Sequence, residues 1–467
     1  MDRKSISTFV EKMWDETILP SFKNYVRIPN ISPGFDPQWE ENKLLLKAAQ
    51  LISTWAKSLQ LKNTTIQILQ DPGKSPFIFT EVEASRKGDD RTIMFYSHFD
   101  KMPAGDGWDA DKGAYLPLIQ NGRFYGRGTA DDGYAVFSVF TAIKCCQAHG
   151  VPYPRIVILT EGNEETSDSD LKYYFNKLKP LYGNLKLFVC MDAGSEDYNH
   201  LWVTTTLRGV LRSNITINTM LKPSTNNLCN GVVPDNYLIM RKIMEGIQND
   251  KGEILIDALK VKEIPQEQLD INKKIADIKG DNFYKQIPLA GTTQPLLHDV
   301  YELYLNKTWR PCVVVTGLEG VPDPIESGTK VHPTLSFALS FRTPPSLDNS
   351  KIYTSVEEKV KASVPFGAEV TVSTTYLNGW VLGTFSDKLN NILNTASNNF
   401  FGNELCFRNE GGSIPFLNFF QETYPGVDIA NLGVCNADSF EHGANESLEI
   451  AACKKFIMCM AYLISEY

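Results

Sequence analysis

Five residues spread through the chain, His98, Asp131, Glu165, Asp192 and His442, are of the types that hold divalent cations. Imidazole nitrogen and carboxylate oxygen are the ligands that zinc and similar borderline ions take. Two histidines and three carboxylates suffice for a pair of ions, and paired ions are a known means of activating water for hydrolysis at neutral pH. A further acid, Glu164, stands directly before one of the five.

Each motif has a plain alternative when taken alone. His98-Phe99-Asp100 is an H-x-D at the end of an apolar run. Residues two apart on a strand face the same way, so Asp100 is placed to take the second ring N–H of His98 and fix its tautomer. The alternative is a surface histidine beside an acid. Asp131 and Asp132 follow the turn Gly126-Arg127-Gly128 and precede a helical pattern. They are either helix-capping acids or, for Asp131, a carboxylate that bridges two ions. Glu164 and Glu165 point different ways, so one can bind metal while the other takes a proton from water; the alternative is a solvated acidic turn. Asp192 ends an apolar run and His442 lies in a loop before the last helix. His149, His200, His298 and His332 lack such settings and read as structural.

The elements that must position these groups follow from the apolar patterning. Two helices and a strand at Ile66–Leu69 fill residues 1 to about 85. Strands are predicted at Arg91–Phe95, Arg155–Thr160 and Leu185–Cys190, with a helix over Tyr134–Ala148. Strands alternating with helices predict an α/β layer with a mostly parallel central sheet flanked by helices. In such sheets ligands bind at the carboxyl ends of strands, where His98, Glu165 and Asp192 fall. From about residue 208 to 380 the texture changes. Strands at Ser213–Asn218, Cys312–Val315, Leu335–Arg342 and Glu369–Ser373 predict an inserted α+β domain. Helices return at Ser386–Phe400 and Ile450–Ile464. If His442 is to join His98, residues 1–207 and 381–467 form one discontinuous metal-binding domain, interrupted by 208–380.

Bulk properties narrow the partners. A chain of 467 residues is too long for one core, and two domains are expected. The net charge of −9 argues against nucleic acid or an anionic membrane as partner. The amphipathic start MDRKSISTFVEKMWDETILP has no apolar core of a secretory signal, and no apolar run reaches the length of a membrane span. Nine cysteines, an odd number without framework spacing, read as reduced thiols and suggest the cytoplasm.

Taken in order, SHFD, DGW, GRGTADDG, EGNEET, MDAG, NEGGSIP and EHGANE resemble the two-zinc metallopeptidases that include carnosinases, non-specific dipeptidases, glutamate carboxypeptidases, aminoacylases and succinyl-diaminopimelate desuccinylase. The likeness runs from about residue 90 to the C-terminus. Ser97–Gly133, together with GLEG, GTK and SFR of the inserted region, is similar to the carnosinase-like branch. The resemblance implies a catalytic domain with an inserted lid and dimerisation domain, and hydrolysis of small peptides by a homodimer. It implies that His98 and Asp192 hold one zinc, Glu165 and His442 the other, and that Asp131 bridges them through a peptide to Asp132 that is cis in that family. Manganese or cobalt suits the same ligands. Glu164 would be the general base and Asp100 the orienter of His98. Arg342 and the Gly411-Gly412-Ser413-Ile414 loop would receive the substrate's C-terminal carboxylate, which suits an Arg fork and backbone N–H groups.

The chain also departs from that pattern. The family's inserted domain carries a His-Ser-Gly motif whose histidine steadies the oxyanion in the dimer partner. Here the stretch Ser224–Gly231 has no histidine, and Asn226 is a candidate to donate a neutral hydrogen bond in its place. Thr316 stands where the branch has a histidine before its Gly-Ile-Glu-Gly motif, and Gly133-Tyr134 replaces the usual lysine. An oxyanion donor is worth roughly 10²–10³ in rate. Three readings are therefore weighed: a dipeptidase, an N-acyl amino acid amidohydrolase of the aminoacylase or desuccinylase type, and a metal-binding homologue with weak or lost catalysis.

Overall fold

A computed structural model describes residues 2–325, 327–347 and 351–467. The principal strands, in chain order, are β1 Thr64–Leu69, β2 Phe77–Val82, β3 Arg91–His98, β4 Arg155–Glu161, β5 Asn184–Cys190, β6 Gly209–Asn218, β7 Cys312–Glu319, β8 Thr334–Thr343, β9 Glu369–Leu377 and β10 Asp428–Asn431. The chain divides into two compact units. The first comprises Met1–Thr205, Leu382–Arg408 and Phe419–Tyr467; the second comprises Thr206–Val381 and Asn409–Asn418.

The first unit is built on a six-stranded sheet in the order β1-β2-β4-β3-β5-β10. β3 runs parallel to β4 and β5, and β5 runs parallel to β10. The β1–β2 and β2–β4 pairings are antiparallel. β2 and β10 are short and lack the period-two signal, so patterning did not predict them. β3 and β5 are almost wholly buried, as expected of a parallel sheet covered on both faces. On one face the Gly133–Ala148 helix, apolar on nearly every side, packs against the C-terminal helix Ile450–Glu466. Tyr134 and Phe456 meet edge to face at 5.7 Å. On the other face Phe188 of β5 stacks on Phe420 at 4.0 Å.

The register matters for chemistry. His98 sits opposite Glu161, and Tyr96 sits opposite Cys190. The carboxyl ends of β3, β4 and β5 therefore stop at one level, and the segments that follow carry the acids. A separate three-stranded sheet joins Leu118–Gln120, Arg123–Tyr125 and Ser447–Glu449.

The second unit is a four-stranded antiparallel sheet, β7-β8-β6-β9. β8 alternates half-buried and buried side chains along its whole length. Its inward residues Leu335, Phe337, Leu339 and Phe341 pack with Ile239, Ile243 and Ile247 of one helix and Ile352, Val356 and Val360 of another. Residues 409–418, placed by patterning with the flanking segments, cluster with this unit. The reason is polar: Asn409 is held by Asn272 and Tyr304, and Gly411 and Gly412 by Arg208. Among the described residues no helix is long and apolar enough to cross a membrane.

Candidate metal centre

Two groups of potential ligands lie in the first unit: His98 with Glu164 and Asp192, and Asp131 with Glu165 and His442. Within each group the ligand atoms are all within 4.8 Å of one another. Asp131 connects the groups. Its Oδ1 is 3.0 Å from His98 Nε2 and its Oδ2 is 2.7 Å from His442 Nε2. One carboxylate thus offers an oxygen to each imidazole. Asp192 Oδ1 lies 3.8 Å from His98 Nε2, and Glu165 Oε2 lies 3.0 Å from His442 Nε2. All five sequence-derived ligand candidates and Glu164 are together.

Local structure explains the placement. His98 is the last residue of β3 and fully buried, and its backbone N–H donates to Asp132 Oδ2 at 3.2 Å. The Asp131–Asp132 peptide is cis. Asp100 accepts the N–H of Glu164 and of Glu165, one on each oxygen, both at 3.1 Å. Its Oδ1 is 3.4 Å from His98 Nδ1, beyond good hydrogen-bond length, and that nitrogen has no other partner. Asp100 therefore holds the Glu-Glu turn as well as facing the histidine, whereas the sequence suggested the histidine alone. Glu165 Oε1 accepts the N–H of Met102, which leaves Oε2 for His442.

Sequence reasoning passed over what holds the His442 loop. Glu446, wholly buried, accepts from Arg127 Nη1 at 2.8 Å and from the N–H groups of Gly128, Ala130 and Asp131 at 3.0–3.3 Å. Arg127 in turn donates to the carbonyl of His442 at 3.1 Å. This buried pair fastens the glycine turn that presents Asp131 to the loop that presents His442. Gly128 is required there: its φ is +80°, and a Cβ would lie 2.5 Å from the Lys101 side chain. His442 itself has φ +60°, flanked by Phe440 and Asn445 at +51° and +63°. Tyr134, in the place of the expected lysine region, donates to the carbonyl of Met191 at 2.6 Å and accepts the N–H of Val434. Arg127 lies in GRGTADDG and Glu446 in EHGANE, but their separation in sequence conceals the pairing.

The electrostatics ask for cations. Asp100, Asp131, Asp132, Glu164, Glu165 and Asp192 stand against two imidazoles. Burial, then the charge of Asp192, pushes Glu164 well above the usual carboxylate range. Burial, then the charge of Asp131, pushes Glu165 up to about 7. Burial takes Asp192 to about 7. Burial works against charge on His442, but hydrogen bonds to Asp131 and Glu165 outweigh it and push it up to about 12. Protons on the imidazoles offset negative charge that divalent ions would otherwise neutralise. The donor set, imidazole nitrogen and carboxylate oxygen in two groups sharing one bridging acid, fits a pair of divalent cations.

The remaining sequence-derived site residues lie in the second unit. Arg342 Nη1 donates to Ser413 Oγ at 3.0 Å. The N–H groups of Gly411 and Gly412, expected to receive a substrate carboxylate, instead donate to Glu410 Oε1. A glutamate beside two flexible glycines can fold back on their N–H groups, and this reach escaped the motif. Ile414 begins the approach to the helix Pro415–Thr423. Asn226 opens a four-residue helix and lines a cavity of about 240 Å³ with Asp235, Lys330 and His332.

Residues 94–466 match the model of peptidase family M20/M25/M40. The chain is 26% identical to the cysteinylglycine-S-conjugate dipeptidase of Corynebacterium striatum, over 78% of each chain. It is 24% identical to the human beta-Ala-His dipeptidase, over 76% of this chain and 71% of that one. Among solved structures, a di-peptidase from Saccharomyces cerevisiae superposes with a TM-score of 0.81 at 20% identity, covering 100% of this chain and 98% of that one. Human carnosine dipeptidase 1 gives 0.81 at 19% identity, covering 99% and 98%. The match spans β3 to the last helix, the stretch that carries every candidate metal ligand, and the chain belongs to the metal-dependent hydrolases of peptidase family M20/M25/M40.

Proposed function

We propose that this protein hydrolyses the peptide bond of dipeptides or short peptides with two divalent cations. Zinc is the ion its ligand set favours, with manganese and cobalt next. The observation that carries the reading is Asp131 set between His98 and His442, one oxygen to each, with Glu164 alongside. His98 and Asp192 would hold one ion, Glu165 and His442 the other, and Asp131 both. When bound, such ions polarise the scissile carbonyl and lower the pKa of water at the site.

The chain's own residues supply the rest. Glu164, half-buried and raised in pKa, is suited to take the proton from water as the water oxygen bonds to the carbonyl carbon. The same proton then passes to the leaving nitrogen as the C–N bond breaks. Asp100 fixes the Glu164 backbone for this work. Arg342, paired with Ser413, is assigned to the substrate's carboxylate, and Asn226 to the oxyanion. Nine free cysteines, eight of them buried, suit a reducing compartment such as the cytoplasm. The exposed edge strand β7, with Val314, Val315 and Leu318 turned to solvent, suits pairing with a second copy.

The deciding experiment is a panel of dipeptides and N-acyl amino acids, assayed after chelation and after adding back zinc, manganese or cobalt. Release of free amino acids from dipeptides on adding metal is expected. Hydrolysis confined to N-acyl amino acids would replace the dipeptidase reading. Bound metal without turnover would leave a binding protein.

A further inference from the structure

Arg208 belongs to no motif used above, yet it touches every residue of the glycine segment 411–413. Its backbone N–H donates to the carbonyl of Gly412 at 2.9 Å. Its Nε donates to the carbonyl of Gly411 at 3.1 Å. Its own carbonyl accepts the hydroxyl of Ser413. Nη1 reaches the carbonyl of Asn306 and Sγ of Cys312, both at 3.3 Å. The approach is close: a Cβ on Gly411 would lie 3.1 Å from Lys307 Cγ and 3.3 Å from Arg208 Nη2. A side chain there would press on Lys307 and on the guanidinium, so the glycine lets both lie against the segment.

Two facts give this packing a chemical sense. Among the described residues neither Arg208 nor Arg342 forms an ion pair, although Arg208 is only 7% exposed. A buried guanidinium such as that of Arg208 is ordinarily paired with an acid; the acid of this cluster, Glu410, is engaged by the Gly411 and Gly412 N–H groups and lies 3.8 Å from Lys307, so the two arginines share it without an ion pair of their own. The segment's own groups are also already committed. Glu410 takes the N–H groups of Gly411 and Gly412, and Arg208 takes their carbonyls. Ser413 Oγ donates to Arg208 and accepts from Arg342. What remains to meet an anion is the outer part of the Arg342 guanidinium, in the field of Arg208.

We infer that Arg208 is a positioning residue that locks the Gly411–Ser413 segment and, as a second positive charge beside Arg342, makes the protein demand a free carboxylate on its substrate. The inference rests on the assignment of Arg342 and Ser413 to that carboxylate. A lysine could not replace it, because a single ammonium lacks the fork that serves the Gly411 and Asn306 carbonyls together.

The test uses the full zinc-loaded chain and two probes, alanyl-glycine and its C-terminal amide. The ratio of kcat/KM for acid over amide is measured in the wild type, Arg208→Met, Arg208→Lys, Arg342→Met and the Arg208→Met/Arg342→Met pair. Melting temperature and zinc content are recorded for each. Arg208→Met should lower the ratio by about 10- to 100-fold, the range for a charged hydrogen bond, mainly through a higher KM for the acid. The double variant should fall no further than the larger single effect. Arg208→Lys should recover less than half of the loss on a logarithmic scale, and it carries the test alone if Arg208→Met does not fold. A merely structural arginine would slow acid and amide alike and leave the ratio unchanged, which overturns the inference. If Arg342→Met collapses the ratio and the Arg208 variants do not, the inference fails and the carboxylate assignment stands. If no variant moves the ratio, both fail.

Discussion

The two units each contain a polar cluster that is short of charge, with opposite signs. In the first, six carboxylates crowd two imidazoles. In the second, Arg208 and Arg342 share a small region with one acid, Glu410, and among the described residues neither arginine forms an ion pair. Folding tolerates such imbalances because the rest of each cluster is tightly hydrogen-bonded. The comparison teaches what each region is suited to under the proposed function: cations in one, a small anion in the other.

The sharpest way to break the first half of that contrast is to remove its proton acceptor. Glu164→Gln is expected to lower kcat by about 10²- to 10⁴-fold while metal content stays at the wild-type value; retained turnover would take Glu164 out of its role. Next in size is the ligand test. His98→Ala and His442→Ala should each bind one ion fewer by elemental analysis, and an unchanged count in either would contradict the assignment. Third is the fastening pair. Arg127→Met leaves Glu446 buried without its cation, and breaking such a pair costs about 3–5 kcal/mol. A lower melting temperature and weaker zinc binding should appear together, and the double variant Arg127→Met/Glu446→Leu should recover part of the stability.

The smallest expected effect is on pH dependence. Glu165 and Asp192 are raised to about 7 in the folded, metal-free chain, against about 4 when unfolded. Folded protein then holds more protons than unfolded protein between about pH 4 and pH 7, so its stability falls as pH rises through that window. His442, raised to about 12, adds stability that is complete below about pH 6.5 and fades above it. Both act in one direction. The gain in melting temperature on adding zinc should therefore grow from pH 5.5 to pH 7.5. A gain that shrinks over this range would show that the acids are not neutralised by the ion.

The acidic cluster was far more legible in the sequence than the basic one. Asp100, Glu164, Glu165 and Asp192 follow the ends of buried strands, and strand ends are readable from apolar runs bounded by polar residues. Glu164 and Glu165 were separable in role because neighbours on a turn diverge. Two things were hidden. Arg127 and Glu446 pair across 319 residues of sequence, and nothing local in either motif demands the other. Arg208 sits at the junction before β6, where a lone arginine carries no periodic signal; its meaning comes from tertiary contact with a glycine segment far along the chain. For the same reason the boundary at 409–418 could not be read, since side-chain hydrogen bonds rather than patterning attach those residues to the second unit. The loop N–H groups assigned to the substrate turned inward because Glu410 could reach them.

The Arg127–Glu446 fastening also sets a timetable for the molecule. A ribosome finishes His98, Asp131, Glu165 and Asp192 well before it makes His442 and Glu446, so a nascent chain carries four of the five candidate ligands and lacks the clamp that aligns the fifth. A complete pair of candidate ligand groups is thereby deferred until the segment carrying His442 and Glu446 has been made, and a product truncated before His442 lacks one of them.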